Sequence, residues 1–105
     1  MTIYFLRCLN VVKVGIATDF ASRLDAIRRG TFHPVEVLRA YSHWDADYIK
    51  QLEREIHSEL KSVNAHHEFF EMGPEVEAII ARLDRDFNPE KYSEDPNAAL
   101  VPSVE

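Results

Sequence analysis

The sequence predicts an α/β domain of the α+β kind, a small and mainly antiparallel three-stranded sheet flanked by helices. Three observations predict it. Two β-rich runs, TIYFLR at 2–7 and VVKVGI at 11–16, are separated only by Cys8, Leu9 and Asn10, the pattern of a hairpin. A third run, VEVLRAY at 35–41, alternates as a half-buried strand does. Apolar residues elsewhere recur every three or four positions in three segments, which is the helical period.

Taken in order, the first two runs form the hairpin, with Asn10 suited to its turn. Thr18 or Asp19 can cap a first helix that repeats Phe20, Leu24 and Ile27. Gly30, behind Arg28 and Arg29, is its stop. His33-Pro34 leads into the third strand. A second helix is expected from about Asp45 to Lys61, with Ile49, Leu52, Ile56 and Leu60 as its apolar stripe. A polar stretch, Ser62 to His67, precedes Glu68-Phe69-Phe70, a short edge strand. Pro74 opens a third helix to about Leu83, with Val76, Ile79, Ile80 and Leu83 inward. From Phe87 onward Pro and acidic residues lack periodicity. The division is therefore a domain at 1–86 and an acidic, Pro-containing tail at 87–105.

A chain of 105 residues holds one core and not two. The single cysteine, Cys8, excludes an internal disulfide framework and fits a reducing, cytoplasmic setting. No stretch approaches the roughly 18–20 apolar residues of a membrane span, so no membrane partner is expected. The formal net charge of −6 is unevenly placed: residues 1–42 carry +3, 43–85 carry −5 and 86–105 carry −4. A basic front on an acidic chain permits a local positive field that attracts phosphate.

Several side chains sit where core meets solvent. Glu53 and His57 are four apart, on a helix ridge beside the apolar one. Arg23 is one residue from the Leu24 stripe, and Lys13 is the sole cation of the second strand. Taken singly, each has a plain reading: Glu53 a surface carboxylate, Lys13 a charge that blunts a strand edge, Tyr4 a packing tyrosine. Trp44 and Tyr41 can stack bases, with core or helix-staple packing as the plain alternative. The five histidines and lone cysteine form no zinc signature. His66-His67 reads as a polar loop.

In combination these residues resemble the GIY-YIG endonuclease superfamily, particularly its small stand-alone phage and bacterial branch. IYFLR resembles the first motif, with Tyr4 at its tyrosine. KVGIAT resembles the second, with Lys13 at its first tyrosine and Gly15 at its glycine. SRLDAI aligns Arg23 with the catalytic arginine, and QLEREIHSEL places Glu53 at the metal-binding glutamate with His57 beside it. HEFFEM is similar to the closing segment and brings in Glu68. The sequence has Thr2 where the first motif has glycine, and lysine where the second has tyrosine.

The resemblance implies a metal-dependent endonuclease acting on nucleic acid, on DNA rather than RNA. Tyr4, Lys13, Arg23 and Glu53 would be catalytic, with Gly15, His57 and Glu68 supporting, all gathered on one face. Glu53 would hold Mg²⁺, or Mn²⁺, with water and phosphate completing the shell. Two other readings stand beside this one. The first is a nuclease-derived module that binds nucleic acid without cutting it. The second is a protein-interaction domain of a phage or defence system, which the acidic balance favours.

Overall fold

In the computed structural model, residues 1–87 are described. They form five strands and three helices: β1 (Thr2–Cys8), β2 (Val11–Ala17), α1 (Phe20–Arg29), β3 (Glu36–Ser42), α2 (Ala46–Glu59), β4 (Asn64–His66), β5 (Phe69–Glu71) and α3 (Pro74–Asp86). The strands make one sheet in the order β3-β1-β2-β5-β4, every adjacent pair antiparallel.

The expected α+β architecture is present, but with five strands rather than three. Glu68-Phe69-Phe70, expected at an edge, supplies β5, which pairs with β2 on one side and β4 on the other. The polar stretch before it folds as a single 3₁₀ turn, Lys61–Val63, and then β4. All three β4 residues are exposed, so no alternation marks that strand in the sequence. The β1–β2 turn also differs in detail. Leu9, not Asn10, takes the left-handed backbone, at φ 59°, and the Asn10 carbonyl accepts from the Met72 amide.

Helix ends follow their capping residues. The Asp19 carboxylate accepts from the Ser22 amide at the start of α1, and Asp45 accepts from Asp47 and Tyr48 at the start of α2. Burial of the charged form is not an obstacle at Asp19. Its bonds to the Ser22 amide and hydroxyl hold its carboxyl below the usual range. Pro74 sits in the first turn of α3, which runs three residues beyond Leu83.

The sheet has two dressed faces. On one, Ile3, Phe5, Val12, Val14, Tyr41 and Phe70 pack with Ile49, Leu52 and Ile56 of α2 and Val76, Ile79 and Leu83 of α3. On the other, Tyr4, Leu6 and Ala17 lie under Phe20, Leu24 and Ile27 of α1. Both β2 and β3 run antiparallel to β1, so they are parallel to each other, and α1 crosses over β1 to join them. That crossover is what lays α1 over Tyr4. Tyr41 is fully buried, its hydroxyl donating to Asp84 at 2.8 Å; it is core and not a base-stacking surface. Phe87 closes the described chain with its ring 5.1 Å from that of Tyr41. Residues 88–105, most of the expected tail, lie outside the described residues.

Candidate active site at the free edge of the second strand

The site begins with a strand that loses its partner halfway. β5 pairs with β2 only from Val11 to Lys13, and one further bond joins the Val14 amide to the Glu68 carbonyl. Residues two apart on a strand direct their carbonyls to the same side. The carbonyls of Val14 and Ile16 therefore both point outward beyond the end of β5, about 7 Å apart. Two side chains take them. His57 Nε2 lies 2.9 Å from the Val14 oxygen, and the Arg23 guanidinium donates to the Ile16 oxygen at 3.5 Å. With the carbonyl as acceptor, the His57 proton is on Nε2.

Glu53 is one helical turn before His57, its carboxylate 3.8 Å from Nε2. The Glu53 side chain is only 18% exposed. Burial raises its pKa above the usual carboxylate range. His57 opposes that shift, Glu68 adds to it by like-charge repulsion, and Arg54 and Lys13 oppose it. On the strand side, Lys13 Nζ meets Glu68 at 2.9 Å and lies 5.0 Å from the centre of the Phe69 ring. Glu68 reaches it from the two-residue turn between β4 and β5, where His67 adopts φ 52°.

The expectation that the cluster shares one face is corrected by the register. Tyr4 pairs with Gly15 and Leu6 with Lys13, so Lys13 and Gly15 lie on the α1 face with Tyr4. Glu53 and His57 come from α2, which packs on the opposite face. The two sets meet around the open edge of β2, where no further strand separates them. There Glu53 feels the charges of His57, Glu68 and Lys13, and Lys13 pairs with Glu68; Arg23 takes the Ile16 carbonyl farther along the strand.

Tyr4 is placed differently from its expected role. Its ring is fully buried, stacked on Phe20 at 5.3 Å, and its hydroxyl has no hydrogen-bond partner among the described residues. Gly15 explains how the hydroxyl fits. A Cβ there would lie 2.5 Å from Tyr4 Oη and 2.7 Å from Cζ, closer than atoms can approach. The glycine is thus required by the tyrosine and not by a turn. As the structure stands, Phe20 seals Tyr4 from solvent.

Outside this cluster two aromatics are exposed, Trp44, for which packing was the plain alternative to stacking, and Phe32, which the sequence did not single out. Trp44 is 88% exposed and stacked on His43, so it is not a helix staple. Phe32, in the loop after α1, is as open as in an extended peptide. His66 and His67 sit at the β4–β5 turn with their ring centres 3.9 Å apart.

The donor set fits a hydrated, oxygen-loving cation and not zinc. No group of three or more His, Cys, Asp or Glu side chains able to hold a metal occurs among the described residues. Glu53 offers a mostly buried carboxylate whose ionisation is disfavoured, and a divalent cation would offset both its desolvation and the repulsion from Glu68. The orphaned Tyr4 hydroxyl is a second polar atom in want of a partner.

Lys13 at the end of the β2–β5 pairing, Arg23 on the open carbonyls beyond it and the desolvated Glu53 carboxylate beside His57 define the class, a small α+β domain with a charged site at a sheet edge. The family follows from the T5orf172 domain model, which matches residues 1–85; the chain belongs to this phage-associated, nuclease-related family. No curated protein and no solved structure matches the chain. No helix among the described residues is long and apolar enough to cross a membrane.

Proposed function

We propose that this protein is a metal-dependent endonuclease of the GIY-YIG type, hydrolysing DNA phosphodiester bonds. The observation that supports it best is the pair of side chains on the outward carbonyls of β2, Arg23 on Ile16 and His57 on Val14, with the Glu53 carboxylate 3.8 Å from His57. Side chains from two helices, α1 and α2, are thereby held along one strand edge, an arrangement that can position a phosphate. Membership of a nuclease-related family supports the same reading.

Each residue then has a task. Arg23 is exposed and offers a planar fork of donors to the non-bridging phosphate oxygens. As charge grows on the phosphate, a fixed guanidinium stabilises it. His57 fixes the tilt of α2 against β2 and so positions Glu53. Glu53 would hold Mg²⁺ or Mn²⁺, which when bound polarises the phosphodiester and stabilises the leaving oxygen. Lys13 is released from Glu68 when a phosphate competes for its ammonium. Tyr4 orients or deprotonates the attacking water only if Phe20 swings aside, since its hydroxyl is otherwise sealed.

That seal favours one alternative, a domain that binds nucleic acid without cutting it. Nicking of supercoiled plasmid in the presence of Mg²⁺ or Mn²⁺ separates the two. Cleavage is expected from the wild type, none from Glu53→Ala, and a loss on the order of 10²–10³ in rate from Arg23→Ala. Metal-free DNA affinity should hold in Glu53→Ala and fall in Arg23→Ala. A folded wild type that binds DNA and leaves the plasmid intact with every divalent ion tried would establish the binding module instead.

A further inference from the structure

We infer that the loop joining α1 to β3 is a second nucleic-acid contact, in which Phe32 stacks on a nucleobase while Arg28 and Arg29 engage the flanking phosphates. The inference rests on the nucleic-acid reading above and adds a site to it. Phe32 keeps its whole ring in water, although burying a phenylalanine is worth about 1.5–3 kcal/mol. Thr31 shapes the loop locally, its hydroxyl accepting from the His33 amide at 3.2 Å. A ring held out on a short, hydrogen-bonded loop is preorganised for a flat partner.

The charge around it selects the partner. Arg28 and Arg29 immediately precede the loop and both are exposed. Arg28 donates to the Val35 carbonyl at 2.8 Å, which ties the two ends of the loop together. Arg29 pairs with Asp25 at 2.7 Å, but both side chains stay more than half exposed. Such a surface pair is weak and yields readily to a phosphate. Aromatic surface next to arginines is the composition that holds nucleic-acid strands, stacking bases and neutralising the backbone. An acidic chain that concentrates its positive charge in residues 1–42 places this loop in its basic part.

The loop is also placed to serve the edge site. Arg23 and Arg29 lie on the same helix, six residues or about 9 Å apart along its axis. At roughly 3.4 Å per nucleotide, a strand bound at Arg23 reaches the loop within a few nucleotides. The loop would therefore fix where along the strand the reactive phosphate falls.

The experiment measures the Kd of the full chain for a short duplex with a single-stranded overhang, by fluorescence anisotropy without divalent metal, over a salt series. Phe32→Ala should weaken binding roughly 5- to 100-fold with the salt slope unchanged, and Phe32→Trp should restore it. Arg28→Ala with Arg29→Ala should instead reduce the slope of log Kd against log salt by about 1–2. Circular dichroism confirms that each variant is folded. If the wild type binds and Phe32→Ala binds equally well, the loop assignment falls while the edge site stands. If the wild type does not bind at all, the nucleic-acid reading falls and this site with it. A Phe32-dependent dimer by sedimentation, without DNA affinity, would overturn the assignment in favour of self-association.

Discussion

Glu53 is held in a form that the fold disfavours. Its folded pKa is raised by burial, so ionisation at neutral pH opposes stability. The sign follows directly. The favourable contribution of the neutral carboxyl is complete below the unfolded value near 4.5 and is lost as pH rises through the higher folded value. Glu53→Gln should therefore melt at a higher temperature than the wild type at pH 7, with the difference vanishing below about pH 4.5. Added Mg²⁺ should raise the wild-type midpoint and leave that of Glu53→Gln unmoved. A Glu53→Gln protein less stable at pH 7 would mean that the carboxylate is structural. Tyr4 poses the same conflict without a charge. An unpartnered buried hydroxyl costs roughly 1–3 kcal/mol, so Tyr4→Phe should hold or raise the thermal midpoint while removing cleavage. Gly15→Ala, which forces a methyl onto the Tyr4 ring, should lose about 1–3 kcal/mol. Equal melting of Gly15→Ala and wild type would show that the ring has room to retreat.

Among the elements, α1 and α2 differ in how firmly they are anchored. No residue of α1 is fully buried, whereas α2 buries Ile49, Leu52 and Ile56. The helix that carries Arg23 and covers Tyr4 is thus the more easily opened of the two. Amide exchange across 23–29 should run about tenfold or more faster than across 50–56, and equal protection would argue against access to Tyr4 through α1 opening. Much of this element plan was legible. The Asp19 and Asp45 caps, the Ile49-Leu52-Ile56 stripe and Pro74 all announce helices by chemistry local to them. What stayed hidden depends on contacts remote in sequence. Asn64-Ala65-His66 becomes a strand only because β5 is there to pair with it. Leu9 takes a left-handed turn that its side chain does not favour. Glu53 and Arg23 could be placed at a core boundary from periodicity, but the outward Val14 and Ile16 carbonyls that His57 and Arg23 take follow from where β5 stops.

At the scale of the whole molecule, the described chain ends on a packed residue. Phe87 lies against Tyr41 and within 6.4 Å of Tyr48, while the sequence beyond it lacks apolar periodicity. A chain ending at Phe87 should melt within a degree or two of full length, and a further cut that removes Phe87 should lower the midpoint clearly, as loss of a partly buried aromatic does. Early melting of the first truncation would mean that residues 88–105 brace the domain. Aromatic surface was the least legible property at this scale. Composition makes Phe32 and Trp44 interior residues by default, and only the tertiary arrangement reveals that neither is inside.

The half-unpaired β2 has a consequence for how copies of this protein coexist in solution. Outward carbonyls in a row invite a strand from a neighbouring molecule, the first step of edge-to-edge polymerisation. Here the Val14 and Ile16 oxygens are already occupied by His57 and Arg23. The two side chains of the proposed site thereby also act as gatekeepers of solubility. Replacing both would strip the guard from the edge, so a double variant made to test the proposed chemistry would carry a colloidal defect as well.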